Sequence, residues 1–408
     1  MMTYHPHSCR FSRTKLHIFS TTSLAAAIAF VIFFSDTFID TSSTPAFPSQ
    51  KHPRRSKPLN SIKEDYFIHT QASARLVPPS NLTARERMKW FKNSFPQFGI
   101  FKSNEKSRKF HQRVKEFYTR NRECKVRFFM TWIASADSFG TREFLSMESI
   151  FKAHKKDGCL IILSQSLDSE YGKALLDPLI ESGFAVIALM PDLPFLLKNT
   201  PVEDWYTDLR NGKKDPGEIP FAQNLSNLIR LAVLYKYGGA FLDTDFIVMK
   251  NFSGLRNAIG AQSVDLYGNW TRLNNAVLVF DKGHPLIYKF MEEFALTFDG
   301  NKWGQNGPYL VSRVVERVQS QYPFRFRVLP PMAFYPVDWL HIDGFFKKPM
   351  DEKHEKWMEA KMARLREEET YGVHLWNRQS RGKRIEKGSI IGRIFSQNCI
   401  ICKGIYDS

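Results

Sequence analysis

Short apolar runs alternate with longer segments of mixed polarity from residue 126 onward. Apolar runs rich in branched and aromatic side chains predict buried strands, and the segments between them have the periodicity of helices. Strands that alternate with helices indicate a largely parallel sheet covered on both faces, so the pattern predicts an α/β fold. The predicted strands are 126–132, 159–164, 184–190, 240–242, 275–280, 326–329 and 372–377, and the predicted helices are 141–154, 171–181, 194–208, 226–237, 284–297, 309–320 and 351–369.

One stretch, 226–245 (SNLIRLAVLYKYGGAFLDTD), joins a predicted helix to a predicted strand through two glycines. The helix is apolar over most of its surface, but Ser226, Asn227 and Arg230 share one face because they are three or four residues apart. A buried arginine needs an anionic partner. The sequence offers the two aspartates that follow the strand, or a phosphate held beside them.

These two aspartates are the candidate metal ligands. Alternate residues of a strand point to the same face, so Asp243 and Asp245 are predicted to lie on one side and Thr244 on the other. Two carboxylates suffice for a divalent cation when a substrate diphosphate completes its coordination. A hydrolase is a poor alternative, because carboxylates this close in a strand cannot stand on either side of a scissile bond at the roughly 5 Å or more that such chemistry requires.

The N-terminal third has a different composition. Residues 16–34 (LHIFSTTSLAAAIAFVIFF) contain no Asp, Glu, Lys or Arg and would span roughly 28 Å as a helix. The apolar run is longer than a usual signal-peptide core, which favours an uncleaved anchor over a cleaved signal peptide. Arg10, Arg13 and Lys15 precede it and predict that the short tail, 1–15, is cytosolic. The basic, proline-rich residues 35–122 are predicted to be a largely disordered stem with some weak helix between Arg85 and Tyr118, and 123–408 a lumenal domain.

The formal net charge of +17 invites a nucleic-acid interpretation. Residues 1–120 contain 20 Lys and Arg against 7 Asp and Glu, a balance of +13, whereas the remaining 38 against 34 give only +4. The folded part is therefore nearly balanced, and the charge argues against a nucleic-acid partner.

The predicted lumenal part contains four cysteines, which allow three complete pairings that the sequence does not distinguish. They are Cys124, Cys159, Cys399 and Cys402. The last two form a CxxC without a second pair at zinc spacing, so a disulfide or two free thiols is expected there rather than a metal site. Glycosylation sequons at Asn81, Asn251 and Asn269 suit the secretory pathway, and a fourth, Asn224, lies at the start of the central helix and is not expected to be modified.

The run SNLIRLAVLYKYGGAFLDTDFIVMKN resembles the DxD-containing sugar-binding region of glycosyltransferase family 32. With LNNAVLVFDKGHP, NGPYLVSRV, FYPVDW and GVHLWN downstream, the chain resembles the plant α-1,4-galactosyltransferase-like members, which are related to globotriaosylceramide synthase. The resemblance covers about residues 126–394. A DxD alone is weak, because chance matches are common in a chain of this length; five motifs in order are specific.

This resemblance implies a GT-A fold, a Rossmann-like sheet for nucleotide sugars, in a type II Golgi membrane protein. The enzyme would transfer a hexose, with galactose in α linkage favoured and GDP-mannose or another donor open, to a glycan or glycolipid, with retention of configuration. Mn²⁺ or Mg²⁺ would bind Asp243 and Asp245, Arg230 would contact the donor, and Trp132 would stack on the nucleobase. The remaining implied donor-site residues are Ser226, Asn227, Gly239, Thr244, Asn275, Gly307, His374, Trp376 and Asn377.

Several residues have a structural alternative. Trp132 could be a core aromatic, His374 could satisfy a backbone group, and Asn275 could cap a strand. Many family members have Asp where this chain has Asn227, which leaves open a protein that binds a donor or glycan as the partner of another transferase. An oligomer, or a complex with other Golgi transferases, is a further expectation from the resemblance.

Overall fold

A seven-stranded mixed sheet forms the framework of the chain. The computed structural model describes residues 76–319, 324–367 and 369–407. The strands of this sheet are β1 (Val126–Thr131), β2 (Gly158–Leu163), β3 (Ala185–Leu189), β4 (Gly239–Leu242), β6 (Ala258–Val264), β7 (Trp270–Phe280) and β8 (Arg327–Leu329), while β5 (Phe246–Val248) and β9 (Gly372–His374) form a separate antiparallel pair.

The strand order in the large sheet is β3-β2-β1-β4-β7-β6-β8. Strands β3, β2, β1 and β4 are parallel, β7 runs antiparallel to both β4 and β6, and β8 is parallel to β6. The prediction of an α/β fold with a mainly parallel sheet is therefore confirmed. The sequence pattern missed β6, whose residues AIGAQSV mix small and polar side chains.

Helices cover both faces of the sheet. They are α1 (Ala84–Ser94), α2 (Glu105–Arg108), α3 (Phe110–Arg120), α4 (Thr141–His154), α5 (Glu170–Glu181), α6 (Leu193–Leu197), α7 (Glu203–Arg210), α8 (Phe221–Tyr237), α9 (Pro285–Thr297), α10 (Pro308–Val318), α11 (Pro331–Phe334), α12 (Ile342–Phe346), α13 (Glu352–Leu365), α14 (Asn377–Ser380) and α15 (Ile390–Asn398).

Alternate residues of the central strands belong to two hydrophobic cores. Phe128 and Met130 of β1 pack into the core that includes α4 and α15, whereas Phe129 faces the core that includes α8 and α9. A strand buried on both faces needs a continuous apolar run, which explains why β1 and β2 were predicted almost to the residue. The predicted helix 194–208 is instead two helices, α6 and α7, separated at Asn199, whose φ of 58° lies in the left-handed region.

The segment before β1 differs from its prediction as a stem. Helices α1 and α3 place Phe91, Phe110 and Phe117 in the same core as α8. The described residues 76–122 therefore belong to the folded body. The sequence was misleading here because basic residues interrupt the apolar ones of these helices. Most of the basic side chains lie on the exposed face, although Arg87 is buried.

The predicted tail, anchor and first part of the stem, residues 1–75, lie outside the described residues. Within the part that is described, no helix has the length and apolar character needed to cross a membrane.

Two disulfides join the four cysteines of the body. Cys124 pairs with Cys159 at the start of the sheet, and Cys399 pairs with Cys402 after α15. The sequence had left this choice open. Of the sequons, Asn81, Asn251 and Asn269 are exposed, whereas Asn224 is only 4% exposed and accepts a hydrogen bond from the Asn306 amide.

Candidate active site

Two glycines connect α8 to β4 at the centre of the sheet. Gly238 has a φ of 66° and Gly239 a φ of 124°, both in the region that favours glycine. A Cβ atom would lie 2.5 Å from the Lys282 nitrogen at the first position and 2.4 Å from the Arg127 oxygen at the second. The chain can therefore reverse direction at these two positions only because neither residue has a side chain. This reversal places the end of β4 beside the polar face of α8.

The two aspartates occupy a turn rather than a strand. Strand β4 ends at Leu242, the Asp243 N–H donates to the Ala276 oxygen at 2.9 Å, and the Phe246 N–H donates to the Asp243 oxygen at 3.1 Å. The predicted strand alternation at Asp243, Thr244 and Asp245 is thus wrong. The carboxylates nevertheless approach each other, because the turn folds them toward a common partner.

That partner is His374 at the end of β9. One ligand atom each from Asp243, Asp245 and His374 lies within 4.8 Å of the others. His374 Nε2 is 3.3 Å from Asp245 Oδ1 and 3.8 Å from Asp243 Oδ2, yet it is buried and forms no hydrogen bond. Strand β5 pairs with β9 and places Phe246 opposite His374. This pairing brings His374 beside Asp245, although the two residues are 129 positions apart in the sequence (374 minus 245).

The charges of this cluster depend on one another. Burial alone would raise the pKa of Asp245, but His374 and the Asn377 N–H, which donates to Asp245 Oδ2 at 2.7 Å, hold that pKa below its ordinary value. Burial would likewise lower the pKa of His374, and the carboxylates of Asp245 and Asp243 raise it to about 9. A proton on His374 and the negative charge of Asp245 therefore stabilise each other.

Arg230 is 2% exposed and holds the first aspartate from the helix side. Its Nη2 forms an ion pair with Asp243 Oδ1 at 2.9 Å, and its Nη1 donates to the Asn275 carbonyl oxygen at 2.6 Å. The guanidinium also lies over the Phe241 ring and within 3.4 Å of Ser226 oxygens. The prediction that this buried arginine has an anionic partner is confirmed, and the partner is Asp243.

A cluster of neutral amides lies beside this ion pair. Asn275 Nδ2 donates to Asn227 Oδ1 at 2.9 Å, and both side chains are nearly buried. Gly307, at the start of α10, lies against both side chains, because a Cβ there would be 3.1 Å from the Oδ1 atoms of Asn227 and Asn275. The structure therefore brings together three residues that the resemblance assigned to the donor.

The segment after His374 leaves the extended conformation. Trp376 has a φ of 55°, in the left-handed region, and its indole N–H donates to the Val337 oxygen at 2.8 Å. The Trp376 backbone N–H donates to His374 Nδ1 at 3.3 Å, which leaves Nε2 facing the carboxylates. Asn377 Oδ1 is buried without a hydrogen-bond partner. Two buried polar atoms without a hydrogen bond therefore lie in one site: Asn377 Oδ1, and His374 Nε2, which has ion-pair contacts with the two aspartates.

Other predicted residues are placed differently. Trp132 is 7% exposed, packs edge-on against Phe139 and donates its indole N–H to Ser135, so it occupies a core position. Ser226 Oγ lies 2.5 Å from the Thr131 hydroxyl, and Thr244 is half-buried in the aspartate turn. Gly239 starts β4, roughly 13 Å of strand from Asp243, where it forms part of the turn, and its contact with a donor stays a prediction.

Sequence reasoning missed Tyr335 of the FYPVDW motif. Its ring is 2% exposed, with ring centroids 5.9 Å from His374 and 5.7 Å from Trp376. Its hydroxyl accepts from the Val277 N–H at 3.3 Å, and burial raises its pKa. A Cβ at Gly260 would come within 2.8 Å of the ring. The FYPVDW motif contains Tyr335, but no spacing rule predicts from the sequence that this residue contacts His374.

The comparisons with known proteins agree with this geometry. Residues 140–265 match the family described as glycosyltransferase sugar-binding region containing DXD motif, and residues 279–406 match the alpha 1,4-glycosyltransferase conserved region. Lactosylceramide 4-alpha-galactosyltransferase of Homo sapiens is 32% identical over 270 residues, which cover 62% of this chain and 70% of that protein.

Two further relatives show the range of the similarity. An uncharacterised protein of Arabidopsis thaliana is 28% identical over 318 residues, 76% of this chain and 47% of the relative, so the chain spans about half the length of that protein. Alpha-1,4-N-acetylglucosaminyltransferase of Homo sapiens is 24% identical over 220 residues, 51% of this chain and 58% of the relative. The relatives thus include transferases named for two different sugars.

Proposed function

Because this chain belongs to the glycosyltransferase family that combines a DXD sugar-binding region with an alpha 1,4-glycosyltransferase conserved region, we propose that it transfers a hexose from a nucleotide sugar to a glycan or glycolipid. The observation that supports this most directly is the convergence of Asp243, Asp245 and His374 beside the buried Arg230. We further propose that the sheet is a GT-A variant.

The cluster fits a divalent cation. Two carboxylates and an imidazole nitrogen suit Mn²⁺, and the buried Nε2 of His374 lacks the hydrogen bond that such an atom would otherwise require. When bound, the cation would neutralise charge on the departing diphosphate. His374 thus becomes a third candidate ligand, in addition to the two aspartates predicted from the sequence.

The surrounding residues orient the donor. Arg230 fixes Asp243 and adds a positive charge next to the phosphate position. The amides of Asn227 and Asn275 offer neutral hydrogen bonds to sugar hydroxyls, and Gly307 keeps the backbone close to them. The Asn377 N–H fixes the second carboxylate of the cluster.

Retention of configuration is part of the proposal. The cluster's two carboxylates are engaged with Arg230, His374 and Asn377, so neither is free to attack the sugar. The acceptor oxygen therefore forms its bond to C1 on the face from which the phosphate oxygen departs. The acceptor hydroxyl proton passes to that phosphate oxygen, which completes the exchange.

For the donor we propose UDP-galactose, since the human galactosyltransferase is among the more similar relatives. We also propose that residues 16–34 anchor the protein in the Golgi membrane with the body in the lumen. Co-localisation with a Golgi marker, and protease protection of a C-terminal tag in intact microsomes, test this placement. Digestion of the tag before the membrane is opened would contradict it.

The direct test is hydrolysis of nucleotide sugars by the full chain. UDP-galactose, UDP-N-acetylglucosamine and GDP-mannose would be compared with Mn²⁺ and with a chelator. We expect hydrolysis of one donor only with the metal, and its loss in Asp245→Ala. Asp265→Ala, in the exposed hairpin turn between β6 and β7, is the matched control. Activity that survives both the chelator and Asp245→Ala would refute the metal assignment.

Asn227 supports one alternative, a protein that binds a donor or glycan without turnover. The resemblance leads us to expect a carboxylate at this position, where this chain has a neutral amide. Metal-dependent donor binding by calorimetry, with no hydrolysis or transfer for any of the three donors, would favour that alternative over catalysis.

A further inference from the structure

The residues of the site form a closed series of contacts. From Asp243 the series passes through Arg230 to Asn275 and Asn227, at 2.9, 2.6 and 2.9 Å. It continues to Gly307, which lies against both asparagines. This first half joins the aspartate turn to the loop that precedes α10.

The second half returns along that loop. The Gly307 N–H donates to the Gly304 oxygen at 3.1 Å, which closes a turn directly after Trp303. The Arg378 guanidinium lies 4.1 Å from the centroid of the Trp303 ring. Arg378 follows Asn377, whose N–H bonds to Asp245. Trp303 and Arg378 therefore join the two segments that carry the site and complete its rim.

Trp303 is unusually open for a residue in this position. It is 46% exposed, whereas Trp376, which also borders the cluster, is 8% exposed. An aromatic side chain of this size has roughly 250 Å² of surface, so roughly 100 Å² remains accessible, about the area of one ring face. Arg378 accounts for one side of the ring, and the rest is available to a ligand.

We propose that Trp303, backed by Arg378, is the platform on which the pyranose ring of the acceptor stacks during transfer. This inference rests on the proposed glycosyltransferase function. The C–H groups on one face of a pyranose carry partial positive charge and pack against the electron-rich face of an indole. Arg378 holds the indole plane by a cation–π contact and offers N–H donors to hydroxyls at the edge of the sugar.

The location supports an acceptor rather than the donor. In the proposed function the donor sugar lies beside the carboxylate cluster and the amides of Asn227 and Asn275. The acceptor must reach C1 from the rim, where Trp303 and Arg378 are exposed. Trp303 lies four positions before Gly307, and Arg378 directly follows Asn377, so both residues belong to segments that also contribute to the site.

The test is steady-state kinetics with the full chain and free sugars. A panel headed by lactose and methyl β-galactoside would be screened as acceptors, and the sugar with the lowest KM used for the variants. For Trp303→Ala we expect the acceptor KM to rise roughly three- to tenfold, with the donor KM changed less than twofold. Trp303→Phe should restore part of the acceptor affinity, because a smaller aromatic face remains.

Trp357 provides a matched control. It is 39% exposed on α13 and lies under a cation, Lys361, at 5.7 Å, but it contacts Phe345 and His354 and no member of the contact series. Trp357→Ala is expected to leave both KM values unchanged. Saturation-transfer NMR on the acceptor sugar gives a second readout that does not need turnover, and its signal should weaken in Trp303→Ala alone.

Three results would overturn the proposal. A rise in donor KM without a rise in acceptor KM would assign Trp303 to the nucleotide sugar. Equal effects of Trp303→Ala and Trp357→Ala would show a general effect of removing a surface indole. Wild-type protein that hydrolyses its donor but transfers to no sugar of the panel would leave the platform without its ligand. Failure of the proposed function is distinct, since then no metal-dependent donor hydrolysis occurs in any variant.

Discussion

Replacing Gly307 with alanine tests whether the amide cluster binds the donor. The added methyl carbon would lie 3.1 Å from Asn227 Oδ1 and Asn275 Oδ1, and 3.2 Å from Asn227 Nδ2. Ordinary contacts of a Cβ atom begin near 3.4 Å, so the asparagines must move by a few tenths of an ångström. The φ of −132° at this position is outside the left-handed region that favours glycine.

The expected cost follows from these contacts. Overpacking of a well-packed site costs about 1–3 kcal/mol, and loss of the 2.9 Å bond between the two asparagines would leave a buried amide unsatisfied at a similar cost. A stability of about 5–15 kcal/mol tolerates this, so the protein should still fold. Because the methyl group also enters the space next to the sugar-facing amides, we expect donor affinity to fall roughly tenfold or more.

The assay combines calorimetric titration of the nucleotide sugar with chemical denaturation of the same samples. Gly254→Ala is the matched control, since a Cβ there meets nothing within 4 Å and its φ is not in the left-handed region. Unchanged donor affinity in Gly307→Ala, together with a clear loss of stability, would show that the cluster only packs the core. Unchanged donor affinity and unchanged stability would contradict the contact distances themselves.

Three further predictions concern the metal, the pH and the chain boundary. His374→Ala should weaken Mn²⁺ binding roughly 10–100-fold by electron paramagnetic resonance, whereas His341→Ala, from an exposed His–Asp pair, should not; equal affinities would remove His374 from the ligand set. Burial raises the pKa of Glu148 above its ordinary 4.5, so this group favours folding at low pH and that contribution is lost as pH rises from about 4.5 through the folded-state value. Glu148→Gln can still accept the Ile401 N–H, so its free energy of unfolding should fall less over that pH window in denaturation experiments. The same pH dependence of the free energy of unfolding in the variant and the wild type would contradict the assignment. A chain that starts at residue 123 should be insoluble or strongly destabilised, because it lacks the apolar side chains that α1 and α3 contribute to the core; cooperative unfolding at the full-length midpoint would refute this.

The aspartate pair shows how a correct location can rest on a partly wrong argument. The two glycines and the apolar run identified the end of a buried strand, and the structure has that strand end at Leu242. The pair itself lies in a turn closed by the Phe246 N–H. The carboxylates of Asp243 and Asp245 therefore converge because of this four-residue turn, and not because of strand alternation.

His374 marks the limit of pattern reasoning. In the sequence it shares the GVHLWN motif with Trp376 and Asn377. The alternative to a role in the site, that this histidine satisfies a backbone group, is half correct. Its Nδ1 does accept the Trp376 N–H, and its Nε2 faces the two carboxylates. Only the pairing of β5 with β9 reveals the second role.

The sequence by itself determined the α/β class, most strand positions, the helix–glycine–strand unit and the need of Arg230 for an anion. These follow from local rules, since burial on two faces demands apolar runs and a reversal without a side chain demands glycine. The tertiary structure decided which anion Arg230 meets, that His374 joins Asp243 and Asp245, that α1 and α3 belong to the body, and that Trp303 meets Arg378. Each of these is a contact between residues far apart in the chain, where no periodicity relates the partners and packing alone selects them.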